Sequence, residues 1–292
     1  MHKVIEKAAT LIEALPYIQD FKGATVVVKV GGSVMESKAS LESLLTDVAF
    51  MSTVGMRTVL VHGGGKAISR GMEKSGIKPN FVQGLRVTCE KTMLVVEDVV
   101  KNEVNAEVVR ILKSRKIKAR PVHGDWIVRV KRKSGRDMQT GAALDWGFVG
   151  EPVAVDIEPL MTMLDAGLVP VVTPLGVDAA GQIHNVNADT VAAAIAKAMR
   201  VRKLAFISDV PGLLRDVNDP LSLIPTVHVG EVTKLRTDGV VGGGMLPKLE
   251  SCVDAIHAGV GKVHLVDGRM PHSLLLEIFT KQGVGTEIIA DE

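Results

Sequence analysis

The run Thr25-Val26-Val27-Val28-Lys29-Val30-Gly31-Gly32-Ser33 decides how the rest of the chain is read. Its β-branched residues suit a pleated, buried strand, and the glycines that follow let the backbone turn tightly or approach a ligand closely. A second unit repeats the plan, with Thr58 to Val61 running into His62-Gly63-Gly64-Gly65. Both units place glycines where a strand hands over to a helix. The helix after the first loop carries Leu41, Leu44, Leu45, Val48 and Met51 at helical spacing, and Leu94 to Leu112 shows a longer stripe of the same period.

Further strands are predicted at Val153 to Asp156, Val169 to Thr173, Lys203 to Ile207 and Lys262 to Val266, and helices at Ala188 to Met199, Pro247 to Ala258 and Ser273 to Thr280. Alternation of this kind predicts a doubly wound α/β fold, a parallel sheet with helices on its faces. Trp126 to Lys133 departs from it, alternating with period two, and is read as a hairpin or edge strand with one wet face. Residues 1 to 20 stand apart before the first strand. Val4, Ile5, Ala8, Ile12, Leu15 and Ile18 form one apolar stripe there, with Pro16 expected to weaken the last turn. That helix either packs back on its own domain or buries its stripe against another subunit.

At 292 residues, one large α/β domain or two lobes sharing a cleft both fit. Hydrophobic residues make up 46% of the chain and aromatic ones only 3%, so the core is built from Val, Ile, Leu, Ala and Met, which suits buried parallel strands. A net charge of +2 gives no field that would draw in nucleic acid or an anionic membrane. The local basic run Lys131, Arg132, Lys133 and Arg136 lacks the aromatics that stack on bases and is read as a solvated hairpin. Two cysteines, Cys89 and Cys252, make neither a disulfide framework nor a metal-ligand spacing, in keeping with a reduced, cytoplasmic setting. The N-terminus, with Glu6 and Glu13, reads neither as a signal peptide nor as a membrane span.

Three glycine runs are candidates for holding an anion on backbone N–H groups: Gly31-Gly32, Gly63-Gly64-Gly65 and Gly242-Gly243-Gly244. No P-loop, dinucleotide or protein-kinase motif accompanies them. Lys29 lies inside an apolar strand, where an ammonium group is costly unless an anion neutralises it, or else it faces solvent on an edge. Lys248 follows a glycine run at a helix start, an unfavourable place for a cation unless a phosphate sits there; the alternative is an ordinary surface lysine. Arg86, in Gly84-Leu85-Arg86-Val87-Thr88, either grips a carboxylate or pairs with a structural acid. In His184-Asn185-Val186-Asn187-Ala188-Asp189-Thr190 capping accounts for one or two of the polar residues, not for all.

Taken together and in order, Val-Lys29-Val-Gly31-Gly32, Val-His62-Gly63-Gly64-Gly65, Gly84 to Thr88, Asn185 to Asp189 and Gly-Gly-Met-x-Pro-Lys248 resemble the acetylglutamate kinases of the amino-acid kinase superfamily, over about residues 24 to 290. The resemblance implies a three-layer αβα sandwich with a mainly parallel central sheet and two lobes. Residues 21–200 would hold N-acetyl-L-glutamate and dimerise, and residues 201–292 would hold ATP, with Mg²⁺ brought in on its phosphates. It further implies that Lys29 and Lys248 stabilise the transferring phosphoryl group and that Asp189 orients them. Gly64, Gly65, Arg86 and Asn185 would contact the acceptor. Gly31 and Gly32 would give N–H groups to the phosphates, and Ser208, Asp209, Gly212 and Gly243 would surround the nucleotide. A carboxylate acceptor is already ionised at pH 7, so no histidine base is needed.

Residues 1–20 and the stretch His272 to Gly285 resemble the arginine-inhibited members, in which such helices interlace dimers into hexamers. Arginine would then bind near Glu277 and Gly283, with Lys203 and Tyr17. A nitrogen-signalling protein docking on the ring is neither supported nor excluded. Two local departures from the family pattern, His184 and the loop His123-Gly124-Asp125-Trp126, bear on acceptor preference. The rival readings are a kinase for aspartate, glutamate or a carrier-linked aminoadipate, and a catalytically silent amino-acid sensor on the same fold.

Overall fold

The computed structural model describes residues 2–137, 140–241, 245–280 and 282–291, without the side chains of residues 2–4, 6, 7 and 247. Helix α1 (His2–Phe21) precedes β1 (Thr25–Val30), and a 3-10 turn, Gly32–Met35, leads into α2 (Lys38–Thr53), β2 (Arg57–His62) and α3 (Gly65–Lys74). The short strands β3 (Phe81–Val82) and β4 (Leu85–Arg86) form a hairpin. One long helical run follows: α4 (Glu90–Asp98), a π-helical stretch Val99–Asn105, and α5 (Ala106–Ser114). Next come β5 (Ala119–Val122), α6 (Gly124–Ile127), β6 (Val128–Arg136), β7 (Ala143–Val155), α7 (Glu158–Asp165), β8 (Val169–Val172), β9 (Leu175–Val177), β10 (Ile183–Val186) and α8 (Ala188–Met199). The last part holds β11 (Lys203–Ser208), β12 (Thr226–His228), α9 (Val232–Thr237), α10 (Met245–His257), β13 (Lys262–Asp267), α11 (Ser273–Phe279) and β14 (Thr286–Ile289).

Among the described residues, eight strands form the central sheet in the order β12-β14-β13-β11-β1-β2-β8-β5. Its pairings are parallel except for β13 with β14. The sandwich expected from the sequence is therefore present, and β1 lies in its interior, which removes the edge-strand reading of Lys29. β6 and β7 form the expected hairpin, within a small closed barrel with β9 and β10. The basic run lies on that hairpin, where Lys131 and Lys133 pair with Glu151 and Arg132 with Asp145. No helix among the described residues is long and apolar enough to cross a membrane.

Strand alternation sends neighbouring side chains to opposite faces, and the two cores follow from it. Val27, Val59, Val61, Leu204 and Phe206 pack against α7, α8 and α10. Val26, Val28, Val30, Leu60, Ala205 and Ile207 pack against α2, α5 and α11. Lys29 has the parity of Val27, so it points to the α8 face. Lys203 has the parity of Ala205, and His264 that of Val266, so both point to the α11 face.

Helix α1 runs continuously through Pro16 to Phe21. Its last turn follows the first of the two readings given above. Tyr17, Ile18 and Phe21 pack into the α2–α11 core, whereas Ile5, Leu11, Ile12 and Leu15 are exposed.

The buried carboxylate of Asp47 in α2 ties the last helix to the first layer. Its Oδ1 pairs with the ring of His272, the residue that precedes α11, at 2.6 Å, and Ser43 Oγ, also of α2, accepts from His272 N at 3.1 Å. Asp47→Ala is expected to lower stability by about 2 kcal/mol in urea unfolding, the scale for losing a hydrogen bond to a charged group.

Candidate active site

Asn187 starts α8 and its side chain accepts from the N–H groups of Asp189 and Thr190, at 2.8 and 3.2 Å. That cap sets the first turn of α8 against the C-terminal end of β1, with Asp189 turned toward Lys29. Lys29 Nζ lies 2.7 Å from Asp189 Oδ1, and Lys248 Nζ, from the first turn of α10, lies 3.1 Å from Asp189 Oδ2. Burial pushes the Asp189 carboxyl up, but the charges of Lys29 and Lys248 and their hydrogen bonds outweigh it and hold the group below the ordinary carboxylate value. One ionised carboxylate thus holds two ammonium groups side by side, leaving a net positive charge at the mouth of the sheet. The Lys248 ammonium also lies 5.5 Å over the Phe206 ring.

The glycines around this cluster have distinct parts. Gly31 N–H donates to the Ile207 carbonyl at 3.2 Å, continuing the β1–β11 ladder, so it is not available to a phosphate as the resemblance implied. Its contribution is spatial: a Cβ at position 31 would lie 2.2 Å from Lys29 Nζ. Gly32, with φ +63, opens the 3-10 turn, and its N–H is the one of the pair that can meet an anion. Gly64 and Gly65 start α3, whose N-terminus faces the same space.

Lys29, Gly31, Gly32, Gly63 to Gly65, Arg86, Asn185 and Asp189 line one cavity of about 230 Å³. Arg86, on β4, is only 6% exposed, which lowers its guanidinium pKa through burial. Its Nη2 donates to Gly65 O at 2.7 Å and Ser69 Oγ at 2.9 Å, and its guanidinium stacks 4.7 Å over Phe81. Among the described residues it has no carboxylate partner, so the structural-acid alternative falls away and a desolvated cation is left for an anion. Asn185 Nδ2 donates to Thr88 Oγ1 at 3.3 Å, holding β10 against the loop after β4. His184 is buried against Asp178 at 3.0 Å and Phe148, beside the cavity and not in its wall.

The residues expected around a nucleotide are only partly gathered. Ser208 and Asp209 stand where β11 ends next to β1, and Asp209 Oδ2 accepts from Ser33 N at 3.4 Å. Gly212, with φ +136, is buried in a turn where a Cβ would lie 2.5 Å from Thr286 Oγ1, so its part in the fold is close packing. Gly243, with the rest of Gly242 to Gly244, lies outside the described residues.

Tyr17, Lys203, Glu277 and Gly283 line a second cavity, of about 550 Å³, on the α11 face. His264, which sequence reasoning missed, joins them: Lys203 Nζ is 3.1 Å from His264 Nε2, and His264 Nδ1 is 2.7 Å from Glu277 Oε1. The signal was available, since His264 is a polar residue inside an apolar strand, like Lys29. Burial brings Lys203 down to about 8, helped by the nearby charge of Lys262. Burial pushes Glu277 up, but His264 and the N–H groups of Val284 and Gly285 more than reverse it.

Residues 24–267 match the model of the Amino acid kinase family. The acetylglutamate kinase of Symbiobacterium thermophilum is 46% identical over 289 residues, covering 98% of this chain and 99% of that protein. This chain belongs to the acetylglutamate kinases of that family. The acetylglutamate kinase of Archaeoglobus fulgidus is 43% identical, covering 97% of this chain and 99% of its own. Among solved structures, the N-acetylglutamate synthase of Neisseria gonorrhoeae complexed with coenzyme A and N-acetyl-glutamate superposes with a TM-score of 0.81 at 26% identity over 98% of this chain, which spans 64% of that larger protein. The carbamate kinase of Giardia lamblia bound to AMP-PNP, with a TM-score of 0.66 at 14% identity over 92% of this chain and 99% of its own, shares the fold.

Lys29→Ala and Lys248→Ala are each expected to fold normally and to lose about 100-fold or more in kcat, the scale for removing a donor that stabilises transition-state charge. Steady-state kinetics beside circular dichroism checks this, and near-normal kcat in either variant would remove that lysine from the reaction.

Proposed function

We propose that this chain transfers the γ-phosphoryl group of ATP to the side-chain carboxylate of N-acetyl-L-glutamate, giving N-acetyl-L-glutamyl 5-phosphate in the second step of arginine biosynthesis. The observation that carries this reading is the Lys29–Asp189–Lys248 cluster opening on a cavity that also holds Arg86 without a carboxylate partner. Phosphoryl transfer asks for alignment and neutralised oxygens, which two ammonium groups on one rigid acid supply. Arg86 and Asn185 would hold the acceptor, while Gly32, Gly64 and Gly65 would offer N–H groups to phosphate oxygens. Residues 21–200 would carry the acceptor and residues 201–292 the nucleotide, with Ser208, Asp209 and Gly243 near it.

The donor set at the cluster is ammonium and N–H groups, plus one carboxylate with both oxygens already engaged by lysines. That set fits a nucleotide that brings Mg²⁺ on its own phosphates, where the ion would neutralise part of their charge. The retained cluster argues against a silent sensor, and the retained Arg86 and Asn185 against aspartate, glutamate or aminoadipate as acceptor. Acyl phosphate trapped as hydroxamate is expected with N-acetyl-L-glutamate, ATP and Mg²⁺ together and not when any one is omitted. Equal or faster trapping with glutamate or aspartate would overturn the acceptor assignment.

The second cavity supports feedback control by arginine: Glu277 and His264 supply polar partners and Lys203 lies at their side, with Tyr17 bringing α1 into the wall. The exposed half of α1 supports assembly of dimers into a hexamer through that helix. Removing residues 1–20 is expected to leave dimers and blunt arginine inhibition, read by sedimentation and by activity with increasing arginine. A truncated protein that still forms hexamers would remove α1 from the assembly.

A further inference from the structure

His62 ends β2 one residue before the glycine turn, and it and Asn105 are both fully buried. His62 Nδ1 lies 2.9 Å from the carbonyl oxygen of Gly63. A carbonyl only accepts, so Nδ1 must carry the hydrogen. Burial pushes the ring down to about 4, so at neutral pH it has one N–H, and Nε2 is left as an acceptor. Asn105 matches this pattern: its Nδ2 lies 3.0 Å from His62 Nε2 and 2.8 Å from the Val171 carbonyl oxygen. The amide uses both hydrogens as donors, and turning it over would set two acceptors against each other.

Two features show that this arrangement is held against the easier alternatives. Asn105 Oδ1 is buried with no hydrogen-bond partner, an expense an apolar residue would avoid. Asn105 also closes the π-helical stretch Val99–Asn105, an interruption of helical register that recurs at functional sites.

The geometry points to a role for the pair, resting on the phosphoryl-transfer reading above. We infer that His62, fixed as its Nδ1–H form by Asn105, is a positioning residue that orients the Gly63–Gly64 peptide so that the Gly64 N–H faces the reacting oxygens. In a trans peptide the C=O of one residue and the N–H of the next point in opposite directions. A Gly63 carbonyl drawn to the buried ring therefore turns the Gly64 N–H the other way, toward the cavity that Gly63 to Gly65 line. Gly63 N–H is tied as well, donating to Val30 O at 2.7 Å. A glycine-glycine peptide flips readily without such restraint, and a flipped peptide would present a carbonyl oxygen where an anion must sit.

The test compares side chains that keep or lose the donor. Asparagine carries its Nδ2 at nearly the place of histidine Nδ1, whereas leucine fills the space and donates nothing. His62→Leu is expected to lose about 100-fold in kcat with the acceptor KM changed less than about threefold, and His62→Asn to recover to within about fivefold of the unchanged protein. A packing role predicts the reverse order, since Leu suits a buried site better than Asn, and that order would overturn the proposal. Should His62→Leu not fold, ring-nitrogen NMR of the unchanged protein decides: the Nδ1–H form at neutral pH is expected, and the Nε2–H form would overturn the inference. If the unchanged protein traps no hydroxamate, the reaction assignment falls, while the ring measurement still judges the orientation of the peptide.

Discussion

A single carboxylate, Asp189, must accommodate two ammonium groups that arrive from distant parts of the chain. Lys29 comes from the first strand and Lys248 from a helix more than two hundred residues later, and each alone would be a poorly solvated cation at the end of a buried sheet. Two like charges so near each other repel strongly in a medium less polar than water, and the carboxylate offsets that repulsion. Much of the fold is arranged around this requirement. The interior position of β1, the parity that turns Lys29 to the α8 face, the Asn187 cap and the docking of α10 on α8 converge there. The cluster remains cationic overall, suited to phosphate oxygens.

The fold was largely legible because its strands are apolar, β-branched and end in glycine, and because its helices keep a clean period. Lys29 was legible for the same reason, as a charged residue interrupting a buried strand, whereas Lys203, the first residue of its strand, came only from the resemblance to the arginine-inhibited members. His264 carried the same mark in Lys262 to Val266 but went unread, since one strand by itself does not reveal which polar group its neighbour presents. The short edge strand β12 and the antiparallel β14 were missed. Their few residues carry too little period to be told from loop, and the sheet edge that recruits them is formed by other parts of the chain.

Roles that depend on direction were the least accessible. The sequence marks Gly31 and Gly32 alike, yet one N–H is consumed in the ladder and the other is not. Arg86 was balanced between a ligand and a structural acid until its surroundings showed neutral acceptors, a sulfur and an aromatic face. The place of Asn105 follows from a register change inside a helix, which a period-based reading averages away.

Helix α1 has a seam within it. Its first half offers apolar side chains to the surroundings, while its last turn belongs to the core of its own chain and brings Tyr17 and Phe21 to the wall of the second cavity. Under the proposed assembly through α1, the order of that wall would contain a term in protein concentration. The same assembly would make the cavity a place where association of like molecules is converted into the shape of a small-molecule site, so that dilution alone would change how ready that site is to be filled.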